Sequence, residues 1–158
     1  MQDDHERFMR HAIRLSREKM QDGAGGPFGA VIVKDGAAIG EGWNRVTSTN
    51  DPTAHAEIVA IREACRALGS FALHGCTLYT SCEPCPMCLA AAYWARIEHL
   101  FYANTRVDAA AIGFDDAFLY EQIALPLDRQ AMPADRLLVP EARLVFDEWA
   151  AKPDKVPY

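Results

Sequence analysis

The sequence predicts an α/β domain with one sheet covered by helices on both faces, running mostly parallel after an opening hairpin. Three observations lead to it. Short apolar runs rich in β-branched residues alternate with stretches of helical period, an Asp-Gly pair joins the first two of those runs, and 158 residues, 50% of them hydrophobic, suffice for one buried core. Strands joined by crossover helices share a sheet, and such a sheet is buried on both sides. A single domain over 1–158 is expected.

From His5 to Met20, the residues Phe8, Met9, Ala12, Ile13, Leu15 and Met20 recur at loosely helical spacing among Arg and Glu, which predicts an amphipathic helix. Gly23 to Pro27 ends it. Phe28 to Val33 is a β-branched run too short for a helix, hence a first strand. Asp35-Gly36 then signals a tight hairpin turn with positive φ, and Ala37 to Asn44 is the antiparallel second strand. Arg45 to Asn50 reads as a polar loop. Asp51-Pro52-Thr53 carries helix-start chemistry, and Ile58, Ile61, Ala64, Cys65 and Leu68 hold helical spacing up to Gly69. His55 and Glu57 therefore fall in the first turns of that helix. Thr77 to Thr80 is a third strand, and Pro86 to Arg96 a helix opened by proline, with Cys85 at its N-terminus. His99 to Ala103 is a further strand, and Val107 to Ala111 starts a helix that Gly113 to Phe118 interrupts. Leu137 to Val139 and Ala142 to Phe146 fit strand or helix alike, while residues 151–158 hold too much proline for either.

Composition narrows the class of function. A net charge of −6 and a pI near 5.3 disfavour an electrostatic grip on a polyphosphate backbone, so a small molecule is the expected partner rather than nucleic acid. No apolar run approaches the roughly 18 residues of a membrane span, and no basic segment leads into an apolar one, so no membrane is involved and a soluble, cytoplasmic protein is expected. Five cysteines, three of them within seven positions, suit metal binding better than disulfides.

The chemistry sits in His55-Ala56-Glu57 and, some thirty residues on, Pro84-Cys85-Pro86-Met87-Cys88. One imidazole and two thiolates make three zinc ligands, His55, Cys85 and Cys88, and leave a fourth tetrahedral position for water. A purely structural zinc site would normally close with a fourth side chain. Thiolates at a helix N-terminus are stabilised by unpaired N–H groups and by the helix dipole. Zinc lowers the pKa of a bound water toward 7, and Glu57, not a ligand, is placed to carry its proton to a leaving amine. Residues two apart on an ideal helix point about 200° away from each other, so spacing alone does not bring His55 and Glu57 together. Side chains that lean toward the helix N-terminus permit it.

His-x-Glu followed by Pro-Cys-x-x-Cys is the known signature of zinc nucleobase deaminases, and the chain resembles the cytidine-deaminase-like superfamily of zinc hydrolases. Within it, Gly25 to Gly36, Asn50 to Glu57, Tyr79 to Cys88 and Gly113-Phe-Asp-Asp-Ala-Phe118 resemble the bacterial guanine deaminases, from about residue 5 to 125 and again at the tip. The resemblance implies a three-layer α/β/α fold with a mixed five-stranded sheet and one catalytic Zn2+ per subunit. It implies hydrolysis of guanine to xanthine and ammonia in purine metabolism. It also implies residue roles: Glu57 and Asp116 as the proton carriers, and Phe28, Asn44, Ala56, Trp94, Asp116 and Tyr158 against the purine. By residue type alone Asn44 is a turn residue after a strand, Asp116 a helix cap or surface acid, and Phe28 a core residue. The resemblance further implies a homodimer in which 141–158 crosses to the partner as a lid. Cys65 and Cys76 read as core cysteines, and Cys82 lies beside the site but outside the ligand pattern.

Other readings keep the zinc core and change the rest. Guanosine, another purine or an aminotriazine would need only a different pocket. A tRNA adenosine deaminase would need a basic face, and a non-catalytic zinc-stabilised binding module would need Glu57 turned away from the metal.

Overall fold

In the computed structural model, which describes residues 2–158, β1 (Gly29–Lys34) and β2 (Ala37–Trp43) form the hairpin that Asp35-Gly36 predicts. Both turn residues have positive φ, 50° and 76°, the geometry that matches the twist of paired strands. β3 (Cys76–Cys82) lies antiparallel to the other side of β1, and β4 (His99–Asn104) lies parallel to β3, giving the order β2-β1-β3-β4.

Two expectations need correction. The sheet has four strands among the described residues, not five, and only β3 and β4 form a parallel pair. The helix α3 (Ala56–Leu68) does connect two strands that run the same way, β2 and β3, but β1 lies between them and is antiparallel to both. Crossover connections therefore exist without a mostly parallel sheet. The tail segments that fitted strand or helix alike are not strands: Val139–Ala151 is a helix, opened by Pro140 at its first turn, where a missing N–H has no helical partner to lose.

The strand β1 is buried on both faces, and its alternation separates two cores. Ala30 and Ile32, with Leu78 of β3, pack on one side against Ala56, Ala60 and Ala64 of α3 and against Ala92 and Ala95 at the end of α4 (Pro86–Trp94). Val31, Val33 and Tyr79 pack on the other side against Phe8, Ala12 and Leu15 of α1 (Gln2–Gln21). These are three layers, helix on sheet on helix. The remaining predicted strands and helices appear within three residues of their expected bounds, except that α3 starts later than Asp51-Pro52-Thr53 and that the polar stretch after β2 forms one helical turn, α2 (Val46–Thr49). A capping box on Thr105 and Asp108 opens α5 (Arg106–Ala111).

The contact between α3 and β2 is unusually close. A Cβ at Gly42 would fall 2.5 Å from the Ala60 nitrogen and nearer still to the Ala56 carbonyl, and one at Gly40 would fall 2.7 Å from the Ala64 nitrogen. Alanines every fourth residue on α3 thus lie directly on a strand that has no side chains there. The same device seats α1 on β1, where a Cβ at Gly29 would meet the Ala12 carbonyl.

The chain forms two compact units, the first through Ala117 and the second from Phe118 to Tyr158. The second contains most of α6 (Ala117–Ile123), a 3-10 turn at Leu127–Arg129 and α7 (Val139–Ala151), with Leu144, Val145, Phe146 and Trp149 of α7 all exposed. No described helix is long and apolar enough to cross a membrane.

Because no side chain fits between α3 and β2, Gly42→Ala is expected to lower stability by about 1–3 kcal/mol, the usual cost of overpacking. Urea unfolding monitored by circular dichroism reads this, and an unchanged midpoint would refute the close contact.

Candidate active site

Two helix N-termini meet on the α3 side of the sheet. His55 is the N-cap of α3 and Cys85 the N-cap of α4, both with extended backbone, and neither side chain caps its own helix. N-caps are normally Ser, Thr, Asp or Asn because their side chains bond the first free N–H groups. Here both side chains turn instead toward each other. His55 Nδ1 lies 3.6 Å from Cys85 Sγ and 3.5 Å from Cys88 Sγ, and the three ligand atoms lie within 4.8 Å of one another. Tetrahedral zinc with Zn–S of about 2.3 Å and Zn–N of about 2.0–2.1 Å sets N and S about 3.6 Å apart. The donor set and its spacing fit that metal.

This geometry corrects the expected helix start and removes the difficulty with His55 and Glu57. The helix begins at Ala56, and Asp51 makes its own turn, its carboxylate accepting from Thr53 N and Oγ1 at 2.8 and 2.7 Å. His55 is not on the helix, so the angular rule for residues two apart does not govern it. Glu57, in the first turn of α3, is 6% exposed, and its Oε2 lies 3.4 Å from Cys88 Sγ.

Electrostatics follow from the same arrangement. The Cys88 thiol donating to Cys85, helped by His55, draws the Cys85 thiol down to about 4, and that shared proton together with burial pushes Cys88 up. His55 is raised by its bond to Cys85. The pair therefore holds one anionic sulfur readily, and the second proton is the one a bound cation would release. Burial raises the Glu57 carboxyl above its ordinary range, so it keeps a proton to higher pH than an exposed glutamate. Cys82 is pushed up to about 11, chiefly by burial, and sits near the Thr105 carbonyl, outside the ligand set.

The residues expected against a ligand are placed as follows. Asn44, at the end of β2, is buried, and its Oδ1 accepts from Gly26 N at 3.3 Å and Val46 N at 3.2 Å. Two N–H donors identify that atom as the oxygen, which leaves Nδ2 as the donor edge. A Cβ at Gly25 would fall 2.5 Å from Asn44 Oδ1, so the glycine lets the loop close over the amide. Ala56 is fully buried at the first turn of α3. Phe28 is half-buried, and Phe114 packs edge-on against it with ring centres 4.9 Å apart, while Gly26 lies beneath both rings. Sequence reasoning missed Phe114. Its signal was its place in the Gly-Phe-Asp-Asp motif, but nothing in the sequence linked it to Phe28.

Asp116 is half-buried, its carboxyl raised by burial and then by the negative Cys85 sulfur nearby. The capping role falls to its neighbour, since Asp115 Oδ1 accepts from Ala117 N at 2.9 Å. Trp94, at the end of α4, is 63% exposed, and Tyr158, which ends the second unit, is 77% exposed.

Residues 2–104 match the cytidine and deoxycytidylate deaminase zinc-binding region. The chain is 52% identical to the guanine deaminase of Bacillus subtilis (strain 168) over 155 residues, 98% of this chain and 99% of that one. An X-ray structure of guanine deaminase from Bacillus subtilis superposes with a TM-score of 0.95, covering 98% of each chain. A tRNA-specific adenosine deaminase from Aquifex aeolicus is 44% identical over 98 residues, 62% of this chain and 64% of that one.

If Cys85 is a ligand, Cys85→Ala is expected to lose most of the zinc measured by elemental analysis of purified protein, along with activity. One zinc per chain retained in an active variant would remove it from the set.

Proposed function

The chain belongs to the cytidine and deoxycytidylate deaminase zinc-binding family, and from that premise we propose how its residues turn zinc chemistry onto guanine. The enzyme is a zinc hydrolase that deaminates guanine, a small-molecule purine, to xanthine and ammonia. The observation that carries the residue assignment is the position of Glu57 Oε2, 3.4 Å from Cys88 Sγ and outside the ligand set.

His55 Nδ1, Cys85 Sγ and Cys88 Sγ hold the metal in this proposal. When bound, zinc activates a water for attack on C2 by lowering its pKa. Glu57 takes the first proton of the water and gives it to N3 of the ring, then takes the proton remaining on the added hydroxyl and gives it to the departing 2-amino group, so that C2 becomes a carbonyl and ammonia leaves. A carboxyl that burial makes a stronger base than an exposed glutamate suits that double duty. Asp116, whose pKa is raised by burial, is the second acid, meeting the amino edge of the base and relaying protons outward.

Asn44 distinguishes the base. Its Nδ2 donors match the O6 and N7 acceptors of guanine, whereas adenine offers a donor at the position of O6. Phe28, held edge-on by Phe114, stacks on the ring, Ala56 leaves room beside it, and Trp94 borders the opening. An acidic chain with this amide orientation favours guanine over an adenosine in tRNA, despite the partial likeness to the adenosine deaminases.

The same reading includes one domain closed by its last segment, 141–158, acting on the partner within a homodimer, with Tyr158 as lid tip. Support comes from the apolar side chains left exposed on both units: Tyr93, Trp94, Phe101 and Tyr102 on the first, Phe146 and Trp149 on the second. A cytoplasmic setting agrees with five free cysteines.

Ammonia release from guanine, guanosine, adenine, cytosine and cytidine, tested in parallel with zinc-quantified protein, is expected to occur with guanine. Turnover of adenine at a comparable rate would overturn the role of Asn44. Deleting residues 155–158 is expected to reduce kcat/KM by at least tenfold with a melting temperature within about 2 °C of the full chain. Unchanged turnover after that deletion would sink the lid.

A further inference from the structure

Thr80 sits in the middle of β3, between Ala30 of β1 and Tyr102 of β4, and is 1% exposed. A β-branched residue suits a central strand, but valine would serve the strand equally with no hydroxyl to bury. A buried hydroxyl is costly unless it is bonded. This one donates to Glu57 Oε1 at 3.2 Å, across 23 residues of sequence. Its neighbour Ser81 points to the opposite face and has a structural use, accepting from Gly29 N at 3.0 Å. Thr80 is bonded instead to the carboxyl beside the candidate metal ligands.

The two oxygens of Glu57 consequently have different surroundings. Oε1 is tied to the sheet by Thr80, while Oε2 is turned toward the ligand cluster, 3.4 Å from Cys88 Sγ. We propose that Thr80 is a positioning residue that fixes the rotation of the Glu57 carboxyl and so reserves Oε2 for proton transfer. This rests on Glu57 being the proton carrier.

The bond is suited to a group that changes protonation during turnover. With the carboxylate ionised, Oε1 accepts from the Thr80 hydroxyl. With the proton on Oε2, Oε1 is the carbonyl oxygen and accepts from the same hydroxyl, so the tether holds through the cycle. Without it, rotation about the last side-chain torsion is a soft, two-fold motion and would exchange the two oxygens. Proton transfer needs the donor and acceptor within hydrogen-bond reach, and small misplacements are expensive in rate. The strand is rigid and buried on both faces, which makes it a firm anchor for one oxygen.

The test compares Thr80→Val, Thr80→Ser and Glu57→Gln in zinc-loaded protein. Thr80→Val is expected to lower kcat on guanine about tenfold to hundredfold, the range that losing a hydrogen bond to a charged group corresponds to, with KM within about twofold. Zinc content and melting temperature should stay near wild type, and a crystal structure of the variant should show the Glu57 carboxyl rotated or in more than one conformer. Thr80→Ser, which restores the hydroxyl, should recover kcat to within about threefold of wild type. Wild-type kcat in Thr80→Val, an equal loss in Thr80→Ser, or a loss that tracks zinc content would each overturn the proposal. Glu57→Gln separates the two readings. If it is inactive while Thr80→Val is unaffected, only the role of Thr80 falls; if it turns over normally, the role of Glu57 falls and that of Thr80 with it.

Discussion

The close seating of α3 on β2 is the constraint on which the rest of the structure depends. Gly40 and Gly42 have no room for a Cβ, and Ala56, Ala60 and Ala64 present the smallest side chains a helix can carry. A helix pressed against a strand in this way cannot slide or roll without a clash. Its N-terminus is therefore fixed beside the end of β2, where Gly42 meets Ala56 and Arg45 N donates to the Ala54 carbonyl. The same contact orients Glu57 toward β3, where Thr80 meets it. Much of the site is thus positioned by residues that have almost no side chain.

On that scaffold, the candidate zinc ligands His55 and Cys85 stand where helix caps usually stand. His55 and Cys85 each precede the first turn of a helix with extended backbone, and each leaves its own helix's N–H groups uncapped. The helix end favours one negative sulfur before any metal is present, that of Cys85, while Cys88 keeps its proton. The acidity of Cys85 reflects this combined with the neighbouring Cys88 proton and His55. A side chain that capped its helix would not be available as a ligand, so the choice of His and Cys at these positions gives up a little helix stability in favour of the metal.

A loop rather than a helix holds the Asn44 amide in place. Gly25 and Gly26 let the backbone close on Asn44 and under Phe28 and Phe114, and the two N–H groups on Oδ1 set the polarity of the amide. An amide in the opposite orientation would present an acceptor instead of donors.

The sequence by itself determined which residues are candidate ligands, the acid beside them and most of the elements that carry them. These are local properties: spacing, proline and glycine punctuation, and side-chain chemistry that does not depend on distant contacts. The hairpin was legible from two residues, Asp35 and Gly36, and the alternation along β1 was legible as a strand buried on both faces. What required the tertiary structure was every pairing between distant segments. Strand order and direction depend on β1 lying between β2 and β3, which no local pattern encodes. The four strands read from local pattern are the four that form, and the fifth, expected from the family resemblance alone, is absent among the described residues, where the tail's apolar residues form a helix instead. Phe114 against Phe28 and Thr80 against Glu57 were invisible for the same cause. An aromatic ring or a buried hydroxyl acquires its role only from the group that folding places beside it.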